Sequence, residues 1–166
     1  RLPMLRALTL LDSDWLGLQD RHTWRYAAVA DEMRRRGVPL TDLHEFYRRM
    51  CFNALVGNDD DHPKNHAILW SEQGWRLSPL YDVVSSLERA GPGSLAMDVG
   101  RLGKTISREN LLSHAAHFAL SHEQAEAIVD EVASWEAELK AHYKEHLAGH
   151  ELEVAIQAVG AIKLRE

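Results

Sequence analysis

The sequence predicts a mainly α-helical domain interrupted once by a short β-hairpin, and three observations carry that prediction. First, Leu43, Phe46, Tyr47, Met50, Ala54 and Leu55 recur at i, i+3, i+4 spacing, the apolar stripe of a helix lying on a core. Second, stop and start signals punctuate several such stretches: Gly37 with Pro39 after one, and the capping box Ser121-His122-Glu123-Gln124 before another. Third, a β pattern occurs at one place, where His66–Trp70 and Trp75–Leu77 flank Ser71-Glu72-Gln73-Gly74. A chain of 166 residues with 45% hydrophobic and 27% charged positions fits a single domain able to bury a sizeable core.

In chain order, residues 1–20 are weakly patterned. Leu5, Leu8 and Leu11 predict a short helix, and Asp12-Ser13-Asp14-Trp15-Leu16-Gly17 reads as a turn. The run from Thr23 to Arg36 predicts a helix with Trp24, Ala27, Ala28 and Met33 on its apolar side. Thr41 is the expected N-cap of the next helix, which runs to Val56 and breaks at Gly57. A polar loop and the hairpin follow. Residues 84–106, rich in glycine, read as a long loop with an extended piece at Leu95–Val99. Ser107 caps a helix reaching about Phe118. A long helix then carries Ala125, Ile128, Val129, Val132, Trp135 and Leu139 on one face until Gly149, and Leu152, Ala155, Ile156 and Val159 mark a last helix.

Several function classes are disfavoured at this level. A net charge of −6 gives no electrostatic footprint for nucleic acid, and the arginines at 34–36 and 48–49 sit where they complement helix ends. No run approaches the roughly 18 apolar residues of a membrane span, and the N-terminus has no signal-peptide pattern. The lone Cys51 lies among apolar neighbours as a structural thiol, and a cytoplasmic address is expected. Of the ten histidines, His142 and His146 stand at i, i+4 and have the spacing to grip a metal. Without an H-E-x-x-H pattern, solvated histidines are the expectation there.

The polar density between Gly57 and the hairpin calls for a chemical explanation. Asp59-Asp60-Asp61-His62-Pro63-Lys64-Asn65, with Asp82 beyond the hairpin, supplies what one side of a phosphoryl-transfer cleft requires. That chemistry needs a carboxylate to accept a hydroxyl proton, and oxygen ligands to hold Mg²⁺ against phosphates. In protein kinases the catalytic Asp precedes the metal-binding Asn by five residues, and a second metal-binding Asp follows later. Here Asp60 stands five positions before Asn65, whereas Asp59 is six and Asp61 four away, and a hairpin leads on to Asp82. A Ca²⁺ loop is excluded by the missing glycine and glutamate positions. A metal-dependent hydrolase using Asp60, His62 and His66 has the right ligand types, although Pro63 prevents the histidines from sharing a helix face. A plain turn-rich loop accounts for Asn58, Asp59 and Pro63 but not for Asp60, Asn65 and Asp82 together.

The stretch FNALVGNDDDHPKNHAIL followed by GWRLSPLYDVV resembles the C-terminal domain of the HipA family, serine/threonine kinase toxins of bacterial toxin–antitoxin systems. That family carries a (T/D)-D-x-H-x-K-N loop and an L-(S/T)-P-x-Y-D segment. The likeness is dense over residues 52–84 and thins over the flanking helices. It implies a helical kinase C-lobe, with Asp60 as catalytic base and Asn65 and Asp82 as Mg²⁺ ligands. It also implies that His62, Lys64 and Tyr81 contact nucleotide. Further expectations are ATP and Mg²⁺ as cofactors, a protein substrate, and a HipB-like DNA-binding antitoxin as partner. Aminoglycoside phosphotransferases fit less well, wanting His two residues before the Asp, where Asn58 stands. No lysine precedes Lys64 and no G-x-G-x-x-G occurs, so residues 1–166 are expected to be a single C-terminal lobe lacking its N-terminal half. A non-catalytic kinase-like module that binds an antitoxin remains the alternative, beside the metal-dependent hydrolase.

Overall fold

Helix α3 (Leu40–Val56) is the spine on which the other elements are laid. Its stripe of Leu43, Phe46, Tyr47, Met50, Ala54 and Leu55 is buried almost without remainder. Each large member contributes about 1.5–3 kcal/mol relative to an exposed position. The computed structural model describes residues 3–16, 18–85, 93–160 and 162–165. Helix α2 (Tyr26–Arg35), a 3₁₀ turn at Ala115–Phe118 and helix α5 (His122–Ser134) pack around α3. Phe118 lies 5.9 Å from Phe46 and 5.1 Å from Tyr47 between ring centroids. The Tyr47 hydroxyl donates to the carbonyl of Leu111 at 3.1 Å, which satisfies this buried phenol.

The β component is larger than the predicted hairpin. Strands β2 (Ala67–Ser71) and β3 (Gly74–Leu77) form that hairpin, closed by Glu72-Gln73 between the paired Ser71 and Gly74. A third strand, β1 (Met4–Arg6), pairs antiparallel with β2 in the register Met4 to Leu69, Leu5 to Ile68 and Arg6 to Ala67. The short helix predicted from Leu5, Leu8 and Leu11 shrinks to one turn, α1 (Ala7–Leu10), of which Ala7 and Leu10 are buried. A three-residue strand has no period of its own, and only its distant partner declares it.

Other boundaries move for local reasons. Helix α2 begins at Tyr26, not Thr23, because Trp24 and Arg25 run extended against Asp98: Tyr26 N–H donates to the Asp98 carbonyl at 3.1 Å and Asp98 N–H to that of Trp24 at 2.8 Å. Thr41 does not cap α3; Pro39 occupies the cap position, and Asp42 in the first turn is used by the hairpin instead. Arg76 donates Nε and one Nη to Asp42 at 2.8 and 2.9 Å, and the Leu77 N–H donates to it at 2.8 Å. This contact locks β3 onto α3.

In the 84–106 segment, Leu95, Met97 and Val99 alternate into the core as an extended run, while residues 86–92 lie outside the described residues. Fully buried Asn110 holds the segment down. It donates to the carbonyls of Gly103 and Thr105 at 2.9 and 2.7 Å and accepts from Leu102 N–H at 2.8 Å. The Ser107 cap is present, but its helix α4 ends at Leu112 (Arg108–Leu112) and resumes as the 3₁₀ turn. The capping box at Ser121 forms with both bonds. The long helix it opens kinks at Trp135 into α6 (Glu136–His146), and Gly149 starts α7 (Gly149–Ala158) where a stop was expected. A last turn, α8 (Ile162–Arg165), packs on α5 and α3. Among the described residues no helix is long and apolar enough to cross a membrane.

Candidate functional site

The loop that follows α3 is built on a frame of buried amides. Gly57 ends the helix in the left-handed conformation, φ 68°, which a glycine adopts without strain. Asn58 donates its side-chain amide to the Asn53 oxygen at 3.2 Å, and both residues are buried. The chain then presents three aspartates in three environments. Asp59 is partly exposed. Asp60 has 82% of its side chain exposed, while Asp61 keeps only 2%. Asp61 faces inward with Oδ1 at 2.9 Å from Nε2 of buried His66, out of line for a hydrogen bond. His66 is in turn wedged edge-on against Tyr26 and Phe46. Consecutive loop residues thus divide between framework and surface.

Backbone hydrogen bonds fix where the exposed carboxylate stands. The Asp60 carbonyl accepts from His62 N–H at 2.9 Å and from the Asn65 side-chain amide at 3.2 Å. Pro63 opens a 3₁₀ turn, Pro63–Asn65, that carries Asn65 back towards Asp60. Because a carbonyl can only accept, the amide nitrogen of Asn65 must face Asp60, and its oxygen is left for another partner. Beyond the hairpin, Ser78 is tied to α3 by Arg49, which donates to its carbonyl at 2.7 Å. The Tyr81 hydroxyl then donates to the Lys64 carbonyl at 2.8 Å, returning the chain to the loop. Partial burial, with a smaller push from Asp82, raises the Tyr81 pKa, so the phenol stays a donor at neutral pH; Arg6 opposes the shift. Asp82 is exposed at φ 59°, a left-handed conformation that costs a non-glycine residue about 1–2 kcal/mol. Such strain is a mark of sites where side-chain direction matters.

The structure therefore brings Asp60, His62, Lys64 and Asn65 into one turn and joins Tyr81 to it by a direct bond. His62 Nε2 lies 3.9 Å from the Asp60 carboxylate. Asp82 is adjacent through Tyr81. His66 is not part of this surface; it is core, and among the described residues Asp60, His62 and His66 do not converge as metal ligands.

One residue of the site was read from the sequence only as part of a turn. Trp15 stacks on Trp24 at 5.5 Å with planes 16° apart, receives the edge of His62 at 4.7 Å, and holds the Lys64 ammonium 3.3 Å from its ring centroid. Trp24 is itself fixed, donating its indole N–H to Ser13 at 2.9 Å. A tryptophan directly after the polar run Asp12–Asp14 was the available signal, since a turn has no need of an indole.

Comparison with known proteins identifies the family and the fold. The family model described as HipA-like C-terminal domain matches residues 1–139. The chain belongs to that family. Two relatives from Sinorhizobium fredii (strain NBRC 101917 / NGR234) bear the names "Putative kinase Y4mE" and "Putative kinase Y4dM". The first is 38% identical over 69 residues, 42% of this chain and 16% of its own length. The second is 33% identical over 112 residues, 60% of this chain and 26% of its own length. A solved structure of the Shewanella oneidensis MR-1 toxin–antitoxin system, HipA, HipB and operator DNA, superposes with a TM-score of 0.69 at 16% identity. That match covers 99% of this chain and 42% of the solved one. The mainly helical fold with its small sheet is thus that of the HipA C-terminal region, and the chain spans well under half the length of each of these relatives.

Proposed function

We propose that this HipA-like domain is the C-terminal catalytic lobe of an ATP-dependent serine/threonine protein kinase, with Asp60 as general base. The observation that carries the reading is the exposed Asp60 carboxylate, set on a backbone that Asn65 clamps and that Tyr81 joins to the Asp82 segment. A base for phosphoryl transfer must stand in front of the protein surface, within hydrogen-bond reach of an incoming hydroxyl. Asp60 stands so; Asp61 is turned away.

The donor set fits Mg²⁺. The Asn65 amide oxygen, freed by the orientation of its nitrogen, and the exposed Asp82 carboxylate are hard oxygen ligands of the kind that ion takes. When bound, Mg²⁺ would neutralise charge on the phosphates of ATP. The protein's own part is positional. Asp60 orients the substrate hydroxyl and accepts its proton, His62 and Lys64 supply N–H donors beside it, and Tyr81 keeps Lys64 and Asp82 in one frame. The phosphate-binding half of the cleft is assigned to another part of the protein. A protein substrate and a HipB-like DNA-binding antitoxin as partner follow from the same reading, as does a cytoplasmic location.

The test is phosphate transfer from labelled ATP by the full-length protein. Asp60→Asn is expected to lower the rate by about 10²–10⁴-fold while the unfolding midpoint stays put, since its side chain has few contacts to lose. Asp61→Ala serves as the contrast. It removes the buried polar partner of His66, costs about 1–3 kcal/mol of stability, and lowers activity only through that loss. An Asp60→Asn protein that transfers phosphate at the wild-type rate would overturn the assignment.

A further inference from the structure

Far from this loop in the sequence, helix α6 displays a second cluster of chemistry-bearing side chains. His142, Glu145 and His146 stand at i, i+3 and i+4, so they share one helix face. All three are exposed, and each presents a ligand atom within 4.8 Å of the other two. The imidazole centroids are 4.2 Å apart with planes at 34°. His146 Nδ1 lies 3.0 Å from the His142 carbonyl, which can only accept, so Nδ1 carries the proton. The lone pair is therefore on His146 Nε2, as a metal ligand requires, and the carbonyl holds the ring the way outer-shell partners orient ligating histidines.

We propose that His142, Glu145 and His146 form a surface site for a divalent transition metal of the zinc class. Two imidazoles and one carboxylate are the donors such an ion takes, and they are poor donors for Mg²⁺ or Ca²⁺. Tetrahedral zinc with bonds near 2.0–2.1 Å sets its ligand atoms about 3.3 Å apart. Closing from 4.8 Å takes only rotamer changes at the ends of exposed side chains. No residue of α6 is buried, so these movements disturb no core. Three protein ligands leave a coordination position open. His142 and Glu145 also line a groove of about 640 Å³ with Trp135, Glu138, Leu139 and Ala141, which gives that position room for water or an incoming donor. Lys140, on the same helix, is engaged by Glu136 at 2.7 Å.

The experiment is calorimetric titration of Zn²⁺ into the full-length protein carried without a histidine tag, beside His142→Ala, His146→Ala, Glu145→Gln and, as control, His150→Ala. One Zn²⁺ per chain is expected to bind the wild type, each of the two histidine variants to bind at least tenfold more weakly, Glu145→Gln several-fold more weakly, and His150→Ala unchanged. Co²⁺ in place of Zn²⁺ should give visible ligand-field absorption that both histidine variants lose. The surface position of α6 lets every variant fold, which the unfolding midpoint without metal verifies. Unaltered Zn²⁺ affinity in either histidine variant would overturn the site, as would wild-type binding only at millimolar metal.

Discussion

Trp15 offers the sharpest test of how the candidate loop is held, because its contacts are few and separately measurable. Trp15→Ala removes a stacked pair with Trp24, an edge contact with His62 and the ring beneath the Lys64 ammonium. An aromatic pair is worth about 0.5–1.5 kcal/mol beyond its buried area, and a cation over an exposed ring about 0.5–1 kcal/mol. With the loss of a half-buried indole surface, the total is about 2–3 kcal/mol. That is less than the 3–5 kcal/mol typical of a fully buried aromatic, as the intermediate burial of Trp15 requires. For a domain of this size, such a loss lowers the thermal midpoint by about 5–10 °C. The second readout is Mg·ATP affinity of the full-length protein. With Lys64 and His62 no longer placed, binding is expected to weaken about tenfold, equivalent to about 1.4 kcal/mol. Trp15→Phe, which keeps a ring under Lys64, should recover most of both effects. A Trp15→Ala protein that melts within a degree of wild type would refute the energetic argument. One that is destabilised yet binds Mg·ATP unchanged would refute the positioning role alone.

Two further predictions concern the scaffold. Gly100→Ala would place a methyl group 2.1 Å from the Asn110 carbonyl oxygen and from Ser113 Oγ, and 2.6 Å from the Asn110 side-chain oxygen. Relief requires breaking the network by which Asn110 holds residues 102–105, so the loss should reach about 3 kcal/mol, read as a shift of the urea midpoint; a shift equivalent to under about 1 kcal/mol would show that the segment relaxes freely. The paired Asp42 titrates below its ordinary value, chiefly through its hydrogen bonds from Arg76, with the Leu77 N–H adding to the effect and burial opposing it. A depressed folded-state pKa stabilises above the unfolded value of about 3.9, and that contribution disappears as pH falls through the lower folded value. Wild type should therefore lose stability below about pH 4 more steeply than Asp42→Asn, and parallel pH–stability curves for the two would contradict the assignment.

What could be read from the sequence was what neighbours decide. The capping box at Ser121, the stop at Gly57 and the hairpin closing at Gly74 each depend on residues within a few positions, and each formed. The amphipathic stripe of α3 was equally plain because a helix writes its buried face into its period. Missing were the features that distant partners create. Strand β1 exists because β2 receives it, and the late start of α2 reflects the hydrogen bonds of Asp98. Trp15 joined the candidate site through His62 and Lys64, far along the chain. The register argument singled out Asp60, and the burial of Asp61 is an independent difference between two adjacent, chemically identical residues that no spacing rule could supply. On α6, i, i+4 spacing marked His142 and His146, but the tautomer and the contribution of Glu145 needed coordinates.

The division of the aspartates bears on how such a site tolerates change. A loop crowded with carboxylates would repel itself if all faced one way, and here the backbone turns them apart: Asp60 outward, Asp61 inward onto His66. Framework and exposed carboxylate are then carried by different residues within one short segment. Buried Asn53, Asn58, Asp61 and His66 determine whether the loop exists, and their replacement acts on stability. Exposed Asp60 and Asp82 contribute little to folding, and Asp82 even costs some in its left-handed conformation. Under the proposed function, the energetic expense at Asp82 and the near-free removal of Asp60 mark both as residues whose replacement should act on activity and not on stability. The same reasoning places Tyr81 between the two groups. Its bond to the Lys64 carbonyl is structural, yet it ties the segment that carries Asp82 to the loop that carries Asp60. Tyr81→Phe should accordingly leave the unfolding midpoint within about 1 kcal/mol of wild type, the worth of one partly exposed hydrogen bond, while impairing Mg·ATP-dependent turnover.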